Sequence, residues 1–187
     1  MKSSFIVFAS ALLLAAGSAF AQAPAPAAKP AAAPAAAGPT DAQIAHIVVT
    51  ANQVDIDAGN LATTKGKNKL VRAFGKRMVT DHTGVNKQAV ELVTKLKVTP
   101  EDNPTSQSLK KGGEDNLANL KTLKGAAFDK AYVDHEVAYH EAVLDAVDKV
   151  LIPNAKNAEL KELIVKVRPA FVAHLEHAKM IQAKLPK

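Results

Sequence analysis

The stretch TDAQIAHIVVTANQVDIDAGNLATT, residues 40–64, decides the fold. Its apolar residues recur every three or four positions, a spacing that predicts an amphipathic α-helix. Thr40 and Gln43 fit a capping box at the start, and a break that begins at Gly66 ends the pattern. We therefore predict a first long helix over residues 41–64. Its apolar positions are Ile44, Ile47, Val48, Ala51, Val54, Ala58, Leu61 and Ala62.

Four further segments carry helical spacing. We predict long helices over residues 69–97, 126–152 and 157–184, and a short helix over residues 106–123 in the connection between the second and third long helices. A glycine pair weakens the short helix, and Pro169 should bend or loosen the last one. Two helical hairpins joined by one long crossover predict an all-α, ferritin-like four-helix bundle.

The N-terminal region is predicted to direct export. Lys2 precedes an apolar run that is shorter than the ~20 residues needed to span a bilayer. Residues 19–21, Ala-Phe-Ala, have the small-x-small pattern of a cleavage site. We therefore predict a cleavable signal peptide over residues 1–21. An Ala/Pro-rich disordered linker over residues 22–40 and one helical domain over residues 41–187 are predicted to follow.

The amino-acid composition excludes several classes of protein. The chain contains no cysteine and has a formal net charge of +6, so disulfides and a lipoprotein anchor are excluded. Its lysines are scattered and its aromatic residues few, a pattern that disfavours nucleic-acid binding and favours weak contact with anionic envelope polymers. No segment beyond the signal peptide is long and apolar enough to span a membrane. We expect a soluble or peripherally attached protein that is exported to the periplasm or the outer-membrane periphery, with secretion into the medium as an open alternative.

Candidate functional residues are the ionisable ones that share a helix face with the apolar stripe, because sites in bundles project inward. His174 lies inside the stripe of the last helix, Asp55 lies on the apolar face of the first, and His140 lies at the margin of the third. The other candidates flank a stripe. The complete set is Asp55, Asp81, His82, Glu136, His140 and His174.

Depth along the bundle can also be counted from the turns between helices. Asp55 and His82 differ in depth by about 5 Å at about 1.5 Å of rise per residue. Glu136 and His174 are nearly level, and His140 is about one turn away. All four long helices thus place an acid or an imidazole near the middle of the bundle.

Imidazole and carboxylate together suit zinc, iron, copper or manganese, so this convergence predicts a transition-metal site. The alternative is that the histidines are hydrogen-bonded core residues, and both interpretations stay open. The Glu-x-x-His motifs of di-iron bundles do not occur in the chain, which disfavours ferroxidase chemistry and favours a protein that is not an enzyme.

Several motifs resemble a known family. They are Ala58-Gly59-Asn60-Leu61-Ala62, Arg77-Met78-Val79-Thr80-Asp81-His82-Thr83, Gly125-Ala126-Ala127-Phe128-Asp129-Lys130-Ala131-Tyr132-Val133, His140 and His174-Leu175. Together they resemble the ferritin-like family catalogued as domain of unknown function forty-one forty-two, over residues 41–185. The resemblance implies an exported bacterial protein with a helical bundle, often labelled an outer membrane protein, and it supplies no activity.

The resemblance also bears on individual residues. It implies that the recurrent histidines of the family correspond to His82, His140 and His174, and that its usual glutamate pair on the first helix appears here as Asp55 and Asp57. Two hypotheses follow. In the first, the protein is an exported bundle that binds a transition metal or has a stress-related envelope role. In the second, it is a structural module that docks on anionic envelope polymers or on a protein partner.

Overall fold

The computed structural model describes residues 38–186 of the chain. The predicted signal peptide, and the predicted linker up to residue 37, lie outside the described residues. The elements in chain order are α1 (Asp41–Lys65), α2 (Lys69–Leu96), α3 (Pro104–Thr122), α4 (Gly125–Ala146), a π-helical turn (Val147–Leu151), α5 (Ile152–Asn154) and α6 (Ala158–Lys184). The all-α helical bundle that the sequence predicts is therefore confirmed.

Capping residues set the helix starts. The Thr40 hydroxyl accepts a hydrogen bond from the Gln43 backbone N–H (3.2 Å), and the Gln43 side chain accepts one from the Thr40 N–H (3.1 Å), so the predicted capping box is present. α3 begins two residues earlier than predicted, because the Asn103 side chain caps it and Pro104 fits its first turn. Its glycine pair leaves α3 unbroken.

Tight packing joins α1 to α2 and to α3. A Cβ atom added to Gly59 would lie 2.7 Å from the Gly75 carbonyl oxygen, and one added to Gly75 would lie 2.7 Å from the Gly59 carbonyl oxygen. A Cβ atom added to Gly113 of α3 would lie 2.7 Å from a methyl group of Val54. The glycines thus allow the backbones to approach closely. α1 packs on α2, α4 packs on α6, and α3 lies along α1.

The third long helix differs from its prediction, and the last one contains Pro169 within its predicted span. The helix predicted over residues 126–152 is regular only to Ala146, and a π-helical turn follows it. A π-helical turn accommodates one more residue than the α-helical spacing assumes. α6 runs unbroken through Pro169, which is exposed. The carbonyl group that loses its hydrogen bond at this proline is that of Val165, a residue that is 49% exposed, so water can replace the missing partner.

An apolar cluster fills the end of the bundle that carries the α1–α2 turn. We call it the turn-end core. Its largest side chains are Phe74, Met78, Leu120, Phe128 and Tyr132. In the part of the chain that the structure describes, no helix combines the length and apolar character required to cross a membrane.

A buried carboxylate borders the turn-end core. Asp129 is 2% exposed. Its two carboxylate oxygens accept hydrogen bonds from the backbone N–H groups of Lys67 (2.9 Å) and Asn68 (2.8 Å) in the α1–α2 turn. This carboxylate is therefore fully paired, and it fixes the turn to α4.

Candidate metal centre

Five polar side chains meet in the middle of the bundle. Asp55 comes from α1, His82 from α2, Glu136 and His140 from α4, and His174 from α6. All are buried, with at most 3% of the residue surface exposed. The structure thus brings together five of the six residues singled out in the sequence, with every long helix contributing.

The depth difference predicted between Asp55 and His82 is closed by the direction of their side chains. A helical side chain leans toward the N-terminus of its own helix. Asp55 therefore leans away from the α1–α2 turn and His82 leans toward it, so that the Asp55 Oδ2 and His82 Nε2 atoms are 3.6 Å apart. The same rule brings His140 level with His174.

Glu136 and His140 lie deeper than predicted. The sequence placed them beside the apolar stripe, yet they are 0% and 1% exposed. The buried row of α4 runs at intervals of four residues through Phe128, Tyr132, Glu136 and His140. The apolar residues alone therefore misplaced the middle of the buried face of α4, because that face also contains polar residues.

The tautomer of His82 is set by Asn52 of α1. The Asn52 side-chain nitrogen donates a hydrogen bond to the Val48 carbonyl (2.9 Å), so its side-chain oxygen faces the His82 ring. This oxygen can only accept, and it lies 2.6 Å from Nδ1 of His82. Nδ1 therefore carries the proton, and Nε2 of His82 is left with a free lone pair.

The other two histidines follow the same rule. Nδ1 of His140 donates to the Glu136 backbone carbonyl at 3.0 Å, and Nε2 of His174 donates to Oδ2 of Asp81 at 2.8 Å. Each ring thus uses one nitrogen as a donor to a neighbour. The second nitrogen, Nε2 of His140 and Nδ1 of His174, is left as an acceptor.

The three remaining nitrogens have no hydrogen-bond partner in residues 38–186, although all three are buried. His82, His140 and His174 each offer one ligand atom, and these atoms lie within 4.8 Å of one another. Phe171 stacks on the His82 ring, with 5.3 Å between the ring centroids. The trio is thus a packed set of imidazoles that could hold a metal ion.

A second group shares His140. One ligand atom each from Asp55, Glu136 and His140 lie within 4.8 Å of one another. Oδ1 of Asp55 and both carboxylate oxygens of Glu136 are buried without a hydrogen-bond partner among the described residues. Burial raises the pKa of Asp55 well above its usual value, and burial together with the Asp55 charge raises the pKa of Glu136.

The pKa values of the three histidines are lowered rather than raised. Burial, followed by the neighbouring His174 and His140 rings, lowers the pKa of His82 to about 2. Burial and then His174 lower the pKa of His140 to about 4. Burial also lowers the pKa of His174, although the contact with Asp81 opposes the shift. The rings are therefore neutral near pH 7, which is the form that binds a metal.

Asp81 is the sixth predicted residue and lies outside the buried group. Its side chain is 37% exposed and accepts hydrogen bonds from His174 Nε2 (2.8 Å) and Arg77 Nε (3.2 Å). It orients His174 from behind rather than facing the other imidazoles. Asp81 and His174 line a surface groove of about 440 Å³ between α2 and α6.

Sequence reasoning missed Asn52, the residue that sets the His82 tautomer. The search for inward-facing residues considered only ionisable side chains, and an amide does not ionise. Asn52 lies three residues before Asp55 on the same face of α1 and is 2% exposed. A search for any polar residue on the apolar face would have found it.

A larger surface cleft lies elsewhere on the described residues. It has a volume of about 680 Å³, lies between α1 and α3, and includes His46, Asp57 and Asp102 in its lining. None of the five central residues lines it. His46 approaches Asp102 there (3.8 Å) and remains partly exposed.

Comparison with known proteins places the chain in a family. The profile of the family described as Domain of unknown function (DUF4142) matches residues 25–181. No curated protein and no solved structure matches the chain. The matched segment contains all five central residues, and the family description assigns no activity to them. The resemblance noted in the sequence is confirmed at the level of the family: the chain belongs to the DUF4142 family.

Proposed function

We propose that this protein is an exported helical bundle that binds one divalent transition-metal ion in its core. The ligands are His82, His140 and His174, with Asp55 and Glu136 as carboxylate donors. The proposal is carried by one observation. Three buried imidazoles each donate one N–H to a neighbour and leave the other nitrogen unpartnered, and their ligand atoms lie within 4.8 Å of one another.

The chemistry of the donors fits such an ion. Imidazole nitrogen with carboxylate oxygen is a ligand set suited to zinc, iron, copper or manganese. Buried charges are unfavourable unless they are paired, and Asp55 and Glu136 supply two negative charges to compensate a divalent cation. The acceptors behind the histidines, including the Asp81 carboxylate, correspond to the outer partners that orient metal-binding histidines.

The alternative of purely structural histidines fits less well. A histidine retained for packing and hydrogen bonding is expected to have both ring nitrogens paired when it is buried. All six histidines have a buried ring nitrogen without a partner among residues 38–186, so this criterion alone does not separate them. What separates His82, His140 and His174 is that their ligand atoms lie within 4.8 Å of one another. The structural alternative also predicts a melting temperature independent of metal and a salt-sensitive association with anionic envelope polymers.

The prediction that the protein is exported rests on the sequence of residues 1–21. We infer that the protein reaches the bacterial envelope and holds its metal there, in a storage, buffering or stress-related role. Cell fractionation with a soluble periplasmic marker and an N-terminal sequence of the mature chain would test this part. Recovery of the intact chain in the cytoplasm would contradict it.

The experiment that tests metal binding is elemental analysis of untagged protein purified without chelator. About one equivalent of a transition metal per chain is expected for the wild type. A variant with His82, His140 and His174 replaced by Gln is expected to carry a negligible amount. Addition of the metal should raise the melting temperature of the wild type only.

The chain offers a matched control. It has six histidines, and the three outside the centre are His46, His135 and His177. Replacement of these three by Gln removes the same number of imidazoles and should leave the metal content unchanged. The proposal fails if the wild type and the central variant hold equally little metal, or if the control variant loses as much metal as the central one.

A further inference from the structure

A small cavity lies directly beside the candidate metal centre. Its volume is about 30 Å³. A cavity needs roughly 10–15 Å³ to hold a water molecule, so this one has room for about two water-sized atoms. Its polar lining residues are Asn52, Asp55, His82 and His140.

The cavity has a polar and an apolar side. On the polar side, Oδ1 of Asp55, Nε2 of His82 and Nε2 of His140 are buried without a hydrogen-bond partner among the described residues. The rest of the lining is mainly hydrophobic. It consists of Val48, Ala51, Asn52, Val143, Val147, Leu151 and Phe171.

The π-helical turn shapes the apolar side. Val147 and Leu151 are the first and last residues of this turn, and both line the cavity. Departures from α-helical geometry of this kind occur often at functional sites, because they move side chains away from their regular positions. The irregular turn and the cavity are therefore parts of one local feature.

We propose that the metal ion leaves one coordination position open toward this cavity, and that this position takes a small exchangeable ligand: water, a diatomic molecule or a short linear anion. This inference rests on the proposed function and deepens it. Asp55, His82 and His140 line the cavity, and each has a buried atom without a hydrogen-bond partner among the described residues. A metal ion bound by these residues would therefore lie next to the cavity. The apolar walls would then limit the ligand to one donor atom with about two more atoms behind it.

Cobalt(II) is a suitable probe, because its visible absorption reports the number and geometry of its ligands. The full chain is loaded with Co²⁺, the loading is verified by elemental analysis, and azide is added. Azide binds through one terminal nitrogen, and its two other atoms would occupy the cavity. A saturable change in the Co²⁺ spectrum is expected. Imidazole at the same concentration should cause no change, because its ring exceeds the cavity.

Variants of the cavity wall provide the decisive comparison. Val143→Ile with Val147→Ile adds a methylene at each of two walls. It should weaken azide binding by about tenfold or more while leaving the Co²⁺ content of the protein unchanged, because neither residue is a ligand. Val150→Ile on the same stretch of chain is the matched control, since Val150 is 39% exposed and does not line the cavity. Val147→Ala should enlarge the cavity and admit imidazole.

The outcomes separate the two proposals. If Co²⁺ binds but azide leaves its spectrum unchanged, the open position does not exist, while the proposed function stands. If azide binds equally well to the wild type and to the Val143→Ile/Val147→Ile variant, the ligand lies outside the cavity and the inference fails. If the elemental analysis finds no Co²⁺, both proposals fail together.

Discussion

Two buried aspartates show how differently the two regions of this bundle are built. Asp129, at the turn-end core, is 2% exposed, and Asp55, at the centre, is 3% exposed. Both carboxylate oxygens of Asp129 accept backbone hydrogen bonds, whereas Oδ1 of Asp55 has no partner within residues 38–186. The fold thus gives the buried carboxylate of Asp129 a full set of hydrogen-bond partners and leaves that of Asp55 without one.

The difference concerns stability as well as geometry. A hydrogen bond to a charged group contributes about 1.5–3 kcal/mol, and a buried polar group without a partner costs about 1–3 kcal/mol. The turn-end core therefore holds the fold together, whereas the metal-free centre opposes it. Such a centre is expected where a ligand completes the structure. Substitutions in the two regions should therefore affect metal affinity and stability separately.

The largest effect is expected for His140→Ala. His140 belongs to both groups of ligand atoms, so its loss removes a donor from each. Loss of an outer partner alone typically costs about 10–100-fold in metal affinity, and loss of a ligand should exceed the upper end of that range. Competition titration with a chelator of known affinity measures the change. Asp129→Asn is the control at the other region and should leave the affinity unaltered.

The second effect is a loss of stability at the turn-end core. In Asp129→Asn one oxygen acceptor is replaced by an NH₂ group that faces a backbone N–H. The metal-free protein should be destabilised by about 1.5–3 kcal/mol in urea denaturation. An unchanged free energy of unfolding would show that the pairing seen at Asp129 does not stabilise the turn.

The third effect concerns Asn52, which sets the tautomer of His82. Asn52→Leu removes the acceptor for Nδ1 and should lower metal affinity by about 10–100-fold without removing a ligand. Isothermal titration with Co²⁺ measures the affinity. Asn86→Leu is a control, since Asn86 also lies between α1 and α2 and bonds to the Val49 carbonyl rather than to a histidine. Equal losses in both variants would contradict the role of Asn52.

The smallest effect has the opposite sign to that of Asp129→Asn. Asp55→Asn removes a buried carboxylate that lacks a full set of partners, and should stabilise the metal-free protein by about 1 kcal/mol at pH 7. The same change of residue type should thus stabilise the fold at the centre and destabilise it at the turn-end core. Both variants are measured by urea denaturation without metal. If Asp55→Asn and Asp129→Asn both destabilise the fold, the two regions do not differ in the way proposed.

The pH dependence of this last effect identifies its cause. The pKa of Asp55 is raised in the folded chain, so between the unfolded pKa of about 4 and the folded pKa the folded protein holds a proton that the unfolded chain releases. Stability is therefore lost as the pH rises through this range. The advantage of Asp55→Asn should vanish below about pH 4 and increase toward neutral pH. A difference that is constant with pH would contradict ionisation as the cause.

The histidines change the stability of the fold with pH in the opposite direction to Asp55. The pKa of His82 is lowered to about 2 and that of His140 to about 4, so the unfolded chain binds more protons than the folded chain below about pH 6.5. Their contribution to stability is present above about pH 6.5 and is lost on acidification. Comparing Asp55→Asn with the wild type at each pH cancels this shared contribution, provided that both proteins are metal-free.

Much of the fold could be predicted because its signals are local. The capping box at Thr40 set the start of α1, and the apolar spacing found every long helix. The π-helical turn was missed because it changes the spacing by one residue over a single turn, which is too short to appear in a periodic pattern. It depends on how Val147 and Leu151 pack against other helices.

The centre could be predicted in part. Helical periodicity identified the residues that face inward, and five of them do meet. Periodicity could not show that His140 would be buried, because the buried row of α4 includes polar residues. The tautomer of each ring could not be predicted either. It depends on Asn52, Asp81 and a backbone carbonyl, two of which lie on other helices.

The contribution of every long helix to the centre has a consequence for the lifetime of the protein. The chain contains no cysteine, so no covalent cross-link can hold its helices together against proteases. An ion bound to side chains from all four long helices would serve as a removable cross-link. At a free concentration of about 1,000 times its dissociation constant it would add about 4 kcal/mol to the folded state. The half-life of the chain would then depend on metal supply, and its abundance would fall when the metal becomes scarce.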